Sequence, residues 1–241
     1  MIIATSAKVS GQYPVGALSS QVVVQWRAAM MLPMGAAQDY EAMSERLDPA
    51  GRNTPQPWNA RYQPPTHAPH VARVLWENQH LLPTTGQALD LACGAGGNAL
   101  LLAAHGLETW AWDIADVTVA RVQAVAQQQG VVLHTEVRDV VTCPPLPGSF
   151  DVIAVSRFLE RRLAAALIDA LKPEGLLLYQ TFTQVTVGTV WGPTNPAYRL
   201  APQELLTLFQ PLRVLVYREE GRVGNTTRGW RNEAMLVAQK V

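Results

Sequence analysis

Three acidic residues lie where three successive predicted strands end. Asp90 lies in the apolar stretch "ALDLA", Asp113 in "ETWAWDI", and Asp139 follows "VVLHTEV". In an open α/β sheet, ligands bind beyond the carboxyl ends of the strands, so these carboxylates are expected around one ligand. The alternative for Asp90 is a bond to nearby backbone amides only, and the alternative for Asp139 is a solvated turn.

A glycine-rich turn, "CGAGGN", follows the first of these strands. Glycine has no Cβ, which lets a backbone come close to a ligand. The spacing Gly94-x-Gly96-x-x-Ala99 matches the dinucleotide fingerprint in its Gly/Ala form, in which a pyrophosphate rests on a helix N-terminus. S-adenosylmethionine, which carries an ammonium and a sulfonium cation and no phosphate, suits the same turn.

The position of Asp90 favours the cationic ligand over the dinucleotide. Its carboxylate would repel a pyrophosphate and attract a cation, by about 4 kcal/mol for unit charges a few ångströms apart at an effective dielectric near 20. Asp113 lies about 20 residues past the turn, where a carboxylate accepts the ribose hydroxyls of an adenosine. That feature serves both ligands and indicates a nucleoside.

The elements that must position these acids alternate along the chain. Strands are predicted at 88–92, 108–114, 131–137, 150–156, 176–182, 213–219 and 233–241, and helices at 97–105, 115–129, 160–171 and 202–209. Strands that alternate with helices indicate parallel βαβ units, and the last two strands have no helix between them. The predicted fold is α/β, a doubly wound seven-stranded mostly parallel sheet with an antiparallel last strand pair.

The residues before the sheet fall into two predicted segments. Residues 1–40 have weak periodicity and several methionines, which indicates a loosely ordered leader or a misassigned start, with Met34 or Met43 as the true first residue. Residues 41–86 contain helical patterns at 40–48 and 70–82. The ligand-binding domain is predicted at 87–241.

Composition excludes several function classes. The net charge is zero with a pI near 7.0, so no basic surface for nucleic acid is expected. The two cysteines cannot form a disulfide framework and fit a reducing cytoplasm. The sequence has no uninterrupted apolar run of about 18 residues, so no membrane span is predicted. His67, His70 and His80 do not have the spacing of a metal site, and surface or packing roles are preferred for them.

With these segments in place, the chain resembles class I S-adenosylmethionine-dependent methyltransferases over roughly residues 55 to 240. "LDLACGAGGNALLLAAHG" resembles the cofactor loop, "TWAWDI" the ribose-binding strand end, and "VRDV" the adenine-contact segment. "FDVIAVSRFL" and "ALKPEGLLLYQTF" resemble the fourth and fifth strands, and "WNARY" resembles an N-terminal lid. More narrowly, the chain resembles the branch that includes the tellurite-resistance methyltransferases.

The resemblance implies a Rossmann-like methyltransferase fold and a set of cofactor contacts. Asp90, Ala92 and the Gly94–Gly96 backbone would hold the methionyl portion, whose carboxylate would pair with Arg61. For the nucleoside, the resemblance implies Asp113 on the ribose and Ile114, Asp139 and Val140 around the adenine. Ser156 would contact the cofactor after the fourth strand. Trp58 or Tyr62 would shield the sulfonium by a cation–π contact. Arg157 and Tyr62 are the catalytic candidates.

Two positions depart from the pattern. The branch often has an arginine before the asparagine of its glycine loop, where this chain has Gly97. The class usually has Pro-Gly-Gly before the fifth strand, where this chain has "PEG" with Glu174. The first departure leaves open which contact replaces the arginine, and the second is expected to be harmless.

The predicted activity is in-line methyl transfer to a small-molecule acceptor. Arg157, Arg161, Arg162 and Arg199 would collect an anionic acceptor, although a solvated helix start is preferred for Arg161 and Arg162. No convincing general base is found, and Cys93 is expected to pack rather than react. The alternatives are an NAD(P)-type oxidoreductase and a non-catalytic S-adenosylmethionine-binding module. The oligomeric state is not predicted.

Overall fold

The computed structural model describes Pro55, Trp58, Asn59, residues 69–189 and residues 191–241. The predicted leader and much of the predicted 41–86 segment, including Arg61 and Tyr62, lie outside the described residues. The helix predicted at 70–82 is shorter than expected. Helix α1 spans Arg73–Glu77, and a 3-10 turn, Gln79–Leu81, follows it. The two are separate because Asn78 leaves the helical region, at φ −115°.

The remaining elements alternate as predicted up to the fifth strand. In chain order they are β1 (Gln87–Leu91), α2 (Gly97–Ala104), β2 (Glu108–Asp113), α3 (Asp116–Gln128), β3 (His134–Val137), β4 (Phe150–Ser156), α4 (Ala164–Ala170), β5 (Leu171–Phe182), α5 (Glu204–Leu208), β6 (Arg213–Arg218) and β7 (Glu233–Gln239). Of these helices, only α3 exceeds eight residues.

The seven strands form one sheet in the order β3-β2-β1-β4-β5-β7-β6. Strands β1 to β5 are parallel, and β7 pairs antiparallel with both β5 and β6. The predicted fold is therefore confirmed. A dinucleotide-binding sheet has the order 3-2-1-4-5-6, so the strand inserted between β5 and β6 sets this sheet apart.

The central strands carry the core. Leu89 of β1, Ile153 of β4 and Leu177 of β5 are all fully buried, because elements cover both faces of a parallel sheet. At the two edges of the sheet, Val137 of β3 and Val214 of β6 are exposed. The strand order reverses between β1 and β4, which is where a ligand crevice is expected.

Strand β5 and helix α5 differ from their predicted bounds. Strand β5 begins at Leu171, five residues early, and its pairing with β4 shifts from Leu171 to Leu176 across the "KPEG" turn. Glu174 in that turn is left-handed at φ 62°, a conformation that favours glycine. Helix α5 starts late because Gln203 is left-handed at φ 60°. None of the helices in the described part of the chain is long and apolar enough to cross a bilayer.

Candidate functional site

Asp90 lies inside the molecule rather than on the wall of the crevice. Its residue has no exposed surface, one carboxylate oxygen accepts from the Ala99 amide at 3.0 Å, and the other accepts from Asn98 Nδ2 at 3.2 Å. Both donors belong to the first turn of α2. The structure therefore realises the alternative foreseen for Asp90, a bond to nearby amides, and its direct attraction of a ligand stays a prediction.

Asn98 connects Asp90 to two other parts of the site. Besides its bond to Asp90, Asn98 Nδ2 donates to Ser156 Oγ at 3.1 Å, and Asn98 Oδ1 accepts from the Ala72 amide at 2.8 Å. A side-chain amide that both donates and accepts can join three elements at once. Asn98 thus ties β1, the end of β4 and the chain before α1 to the glycine loop.

Asp113 holds the other side of the glycine loop. Its carboxylate accepts from the Gly94 amide at 2.9 Å and from the Ala115 amide at 2.9 Å, and the residue is 8% exposed. Burial raises the pKa of Asp113, while the three backbone amides that it faces oppose that shift. The end of β2 is thereby fixed against the loop after β1, as the nucleoside prediction requires.

The segment after β3 forms the far end of the crevice. The Arg138 amide donates to the Asp113 carbonyl at 2.8 Å, which sets Asp139 and Val140 beside the end of β2. Asp139 is half-buried and accepts from the Val141 amide at 3.0 Å, whereas Val140 is buried. Ile114 is half-buried. The adenine contacts predicted for these residues stay predictions.

Two glycines of the loop make room for neighbouring parts of the protein, and the approach of a ligand to the loop backbone stays a prediction. A Cβ on Gly96 would lie 2.7 Å from Val122 of α3, and a Cβ on Gly97 would lie 2.2 Å from the His70 carbonyl oxygen. These two glycines therefore make room for protein. Gly94, Gly96 and Ala92 all have positive φ, at 51°, 77° and 56°.

The chain before and at the start of α1, residues 69–74, lies across the loop and is called the strap here. Its His70 backbone fills the space left by Gly97, and its Ala72 and Val74 amides donate to Asn98 Oδ1 and Gln180 Oε1, both at 2.8 Å. An arginine side chain at position 97 would collide with the strap. The His70 backbone therefore occupies the space that such a side chain would need.

Arg157 follows β4 with a left-handed backbone, at φ 54°. Its Nε donates to Glu233 Oε1 at 3.2 Å, and its guanidinium lies 5.0 Å from the centre of the Trp191 ring. Ala92 and Arg157 are thus two non-glycine residues with positive φ at the ends of β1 and β4. Such conformations cluster at functional sites because the surrounding structure must stabilise them.

Two buried polar side chains, those of Glu233 and Gln180, form the hydrogen-bonded support of Arg157. The side chain of Glu233 has no exposed surface and accepts from Gln180 Nε2 at 2.6 Å as well as from Arg157. Burial raises the pKa of Glu233, and the Arg157 charge opposes that shift. Since Gln180 Oε1 accepts from the Val74 amide, the strap and Arg157 are coupled through two side chains, those of Gln180 and Glu233.

The four arginines predicted to collect an anion are engaged within the protein. Arg157 pairs with Glu233, Arg161 with Glu204, and Arg162 with Glu160. Arg199 is buried and donates to the carbonyl oxygens of Pro193, Thr183 and Trp191, so it shapes the loop between β5 and α5. Acidic and carbonyl oxygens are thus partners of these groups, and the collection of an anion by them stays a prediction.

Three further candidates have simple outcomes. Burial raises the pKa of Cys93 far above its ordinary value, with Asp113 and Asp90 adding to the effect, so its thiol stays protonated and packs. Trp58 is half-buried, and its role as a sulfonium shield stays a prediction, as do those of Arg61 and Tyr62 outside the described residues. Within the described ranges, no three His, Cys, Asp or Glu side chains are grouped to hold a metal ion.

Sequence patterns did not single out Asn98, Gln180 and Glu233, although a signal was present. Gln180 interrupts the apolar stretch "LLLYQTF", and Glu233 opens the apolar strand "EAMLVAQ". A polar residue in a buried strand needs a partner, because an unpaired buried polar group is costly. That rule marks the positions but does not identify the partners, which are 53 residues apart in the chain.

The arrangement fits a nucleoside with a cationic tail better than a pyrophosphate. A phosphate on the loop would need the loop amides, yet the Gly94 amide already donates to Asp113. The carboxyl groups of Asp90 and Asp113, whose pKa values are raised by burial, lie on either side of the loop, and a cation bound there would stabilise their ionised forms.

Comparison with known proteins supports this assignment. Residues 88–175 match the family described as a methyltransferase domain. A ubiquinone biosynthesis O-methyltransferase of Albidiferax ferrireducens is 30% identical over 128 residues, which are 50% of this chain and 50% of that protein. The chain thus spans about half the length of the curated relatives it matches.

Solved structures share the fold at low identity. TehB from Haemophilus influenzae superposes with a TM-score of 0.55 at 19% identity, covering 78% of this chain and 67% of that one. The [4+2]-cyclase SpnF superposes with a TM-score of 0.54 at 19% identity, covering 66% of this chain and 76% of that one. At these identities, the likeness shows the fold alone.

Replacing Asp90 with Asn should remove a pH dependence of stability. Burial raises the pKa of folded Asp90 to about 7, although bonds from Asn98 and Ala99 oppose the shift. The folded chain then holds a proton that the unfolded chain releases near pH 4, so the free energy of unfolding falls as the pH rises from about 4 to about 7. We expect a slope of up to about 1.4 kcal/mol per pH unit in the wild type that Asp90→Asn lacks.

Urea unfolding at several pH values measures this slope. Asp169→Asn is the control, because Asp169 is exposed at the surface. Equal slopes in the wild type and Asp90→Asn would contradict the buried, protonated state of Asp90.

Replacing Gly97 with Ala should loosen the strap. The added methyl would lie 2.2 Å from the His70 carbonyl oxygen, so the strap has to move and lose its bond to Asn98. One lost bond of about 1–1.5 kcal/mol corresponds to roughly tenfold faster exchange of the Ala72 and Val74 amides. Hydrogen exchange measures this rate. The amides of β3, at an edge of the sheet, are the internal control and should exchange as in the wild type. Unchanged exchange of the Ala72 and Val74 amides in Gly97→Ala would refute the docking of the strap.

Proposed function

Because residues 88–175 match the methyltransferase domain family and the sheet has the methyltransferase strand order, we propose that this chain transfers the methyl group of S-adenosylmethionine to a nucleophilic heteroatom of a small-molecule acceptor. The observation that carries the proposal is the pair of buried carboxyl groups, Asp90 and Asp113, that brace the glycine loop from two strand ends. A cation bound at the loop would stabilise the ionised forms of both groups, whereas a pyrophosphate would be repelled by them. Bound there, S-adenosylmethionine supplies an electrophilic methyl group on a positively charged sulfur.

The described residues have distinct roles in this proposal. Asp113 accepts from the ribose hydroxyls, Ile114 packs on the adenine, and Asp139 and Val140 bound its edge. Asp90 acts through Asn98, which holds Ser156 and the strap around the methionyl end. The chain's task is to align the two reactants and exclude water, and orientation of this kind can supply roughly 7–11 kcal/mol of the barrier.

Residues 41–86 are proposed as the lid over the methionyl end, with the strap as its described C-terminal part. Trp58 and Tyr62 would shield the sulfonium, and Arg61 would pair with the methionyl carboxylate. The bonds from the strap to Asn98 and Gln180 support this, because they anchor the strap beside the glycine loop.

The acceptor is proposed to be a small molecule without strong negative charge. The arginines of the acceptor side are paired with Glu233, Glu204 and Glu160, so little net positive charge remains to collect an anion. The net charge of zero likewise disfavours a nucleic-acid partner. Both cysteines are free thiols, in keeping with a proposed cytoplasmic location.

A non-catalytic or non-methylating protein is the second candidate. The observation that favours it is the shared fold of a [4+2]-cyclase, which shows that this architecture hosts other chemistry. A dinucleotide-dependent oxidoreductase is disfavoured by the strand order and by the engaged Gly94 amide.

Calorimetry and a transfer assay separate these functions. We expect micromolar binding of S-adenosylmethionine and S-adenosylhomocysteine, no binding of NAD or NADP, and transfer of a labelled methyl group to one member of a panel of phenols, thiols and small acids. Binding of NAD alone would sink the proposal, and binding without any transfer would favour the non-methylating candidate.

Replacing Asp113 with Ala should weaken S-adenosylhomocysteine binding by at least about 100-fold. The carboxylate would lose hydrogen bonds to the ribose, worth about 1.5–3 kcal/mol each for a charged acceptor, and the Gly94 amide would lose its partner. Calorimetry measures the affinity, and circular dichroism checks the fold. Asp116→Ala is the matched control, an exposed aspartate three residues further on. Unchanged affinity in Asp113→Ala would contradict the ribose assignment.

A further inference from the structure

We propose that Gln180 and Glu233 are positioning residues that orient Arg157 while the strap is docked, so that cofactor binding prepares the acceptor side for transfer. This inference rests on the proposed methyl transfer. Both residues act through Arg157, the catalytic candidate at the acceptor side.

Three hydrogen bonds connect the strap to Arg157. The Val74 amide donates to Gln180 Oε1 at 2.8 Å, Gln180 Nε2 donates to Glu233 Oε2 at 2.6 Å, and Arg157 Nε donates to Glu233 Oε1 at 3.2 Å. Gln180 and Glu233 are each 1% exposed, so water hardly competes for these bonds. This series of bonds is called the connection here.

The direction of each bond in the connection is fixed. A backbone amide only donates and an ionised carboxylate only accepts, so a single orientation of the Gln180 amide group serves both of its neighbours. If the strap leaves, Gln180 Oε1 loses its buried donor, which is costly, and the amide group has to turn or shift to recover one. Such a shift disturbs the Glu233 carboxylate, which holds Arg157.

The side chain of Arg157 lies where this disturbance has an effect. Its backbone is tied to β5, because the Arg157 amide donates to the Gln180 carbonyl oxygen at 2.8 Å. Its side chain is 25% exposed, whereas that of Glu233 has no exposed surface, and its guanidinium lies 5.0 Å from the centre of the Trp191 ring. Glu233 and Trp191 therefore help to set the direction of the guanidinium.

The other end of the connection lies at the proposed cofactor loop. The strap fills the space beside Gly97, and its Ala72 amide donates to Asn98, which is bonded to Asp90. A cofactor that is covered by the strap binds the docked state better than the undocked state and so raises its population. The bonds through Gln180 and Glu233 then extend that stabilisation to Arg157.

Exchanging the two side chains of the connection provides a test. In Glu233→Gln, two amide groups stand in series between the N–H groups of Val74 and Arg157, so one N–H group has to face another and one bond is lost. In the double variant Gln180→Glu/Glu233→Gln, the carboxylate at position 180 accepts from Val74 and from the amide at position 233, whose oxygen accepts from Arg157. The double variant thus restores all three bonds and keeps the total charge.

Nuclear magnetic resonance of the full chain measures the connection with S-adenosylhomocysteine as the only ligand. Arg157→Lys identifies the Arg157 Nε–H signal, whose exchange with water is compared with that of the Val74 amide. In the wild type, saturating ligand should slow both exchange rates by about tenfold or more. In Glu233→Gln at most one of the two should slow, and the double variant should regain both. Gln127→Glu, at an exposed position of α3, is the control and should respond as the wild type does.

The outcomes separate this inference from the proposed function. Slowing of the Val74 amide without slowing at Arg157 in the wild type overturns the inference and leaves methyl transfer standing. A full response of Glu233→Gln, or a double variant that folds or responds no better than Glu233→Gln, has the same consequence. Failure of S-adenosylhomocysteine to bind in calorimetry overturns the proposed function and this inference together.

A transfer assay provides the catalytic readout. With the compound of the panel of phenols, thiols and small acids that the wild type methylates, Glu233→Gln should lower kcat/KM for that compound by about tenfold or more. The double variant should recover most of this loss, when rates are referred to the concentration of cofactor-binding sites found by calorimetry. Unchanged kcat/KM in Glu233→Gln, or no recovery in the double variant, would contradict the positioning of Arg157 by these residues.

Discussion

The bonds of Asp90 are the constraint on which the site depends. A carboxyl group without exposed surface has to find donors inside the protein, and the first turn of α2 supplies them through the Ala99 amide and Asn98. This pairing fixes the distance between β1 and α2 and therefore the shape of the loop between them. It also orients Asn98, whose remaining bonds reach Ser156 and the strap.

A second buried carboxyl group, that of Glu233, orients neighbouring side chains in the same way, on the other side of the point where the strand order reverses. Glu233 orients both Arg157 and Gln180, and Gln180 in turn binds the strap at Val74. The strap is thus held at two amides by two side chains, each of which is fixed by a buried acid. The glycine loop, Arg157 and the strap are joined by one connected set of hydrogen bonds, and a shift in any of them has to be accommodated by the others.

The sequence predicted the fold well because its signals are local. Alternating apolar stretches and helix formers give parallel βαβ units, and the missing helix between the last two strands gives an antiparallel pair. Boundaries were less accurate at α1, β5 and α5. There, Asn78, the "KPEG" turn and Gln203 adopt backbone conformations that periodicity does not encode.

For the site, the sequence by itself determined which acids lie at the strand ends and that a glycine turn joins β1 to α2, because both follow from the order of residues along the chain. Tertiary structure alone decided what those residues touch. It turned Asp90 inward, filled the space at Gly97 with the His70 backbone, and brought Glu233 to Arg157 across 76 residues of chain. Burial and partners depend on which distant segments pack together, and no local pattern specifies that.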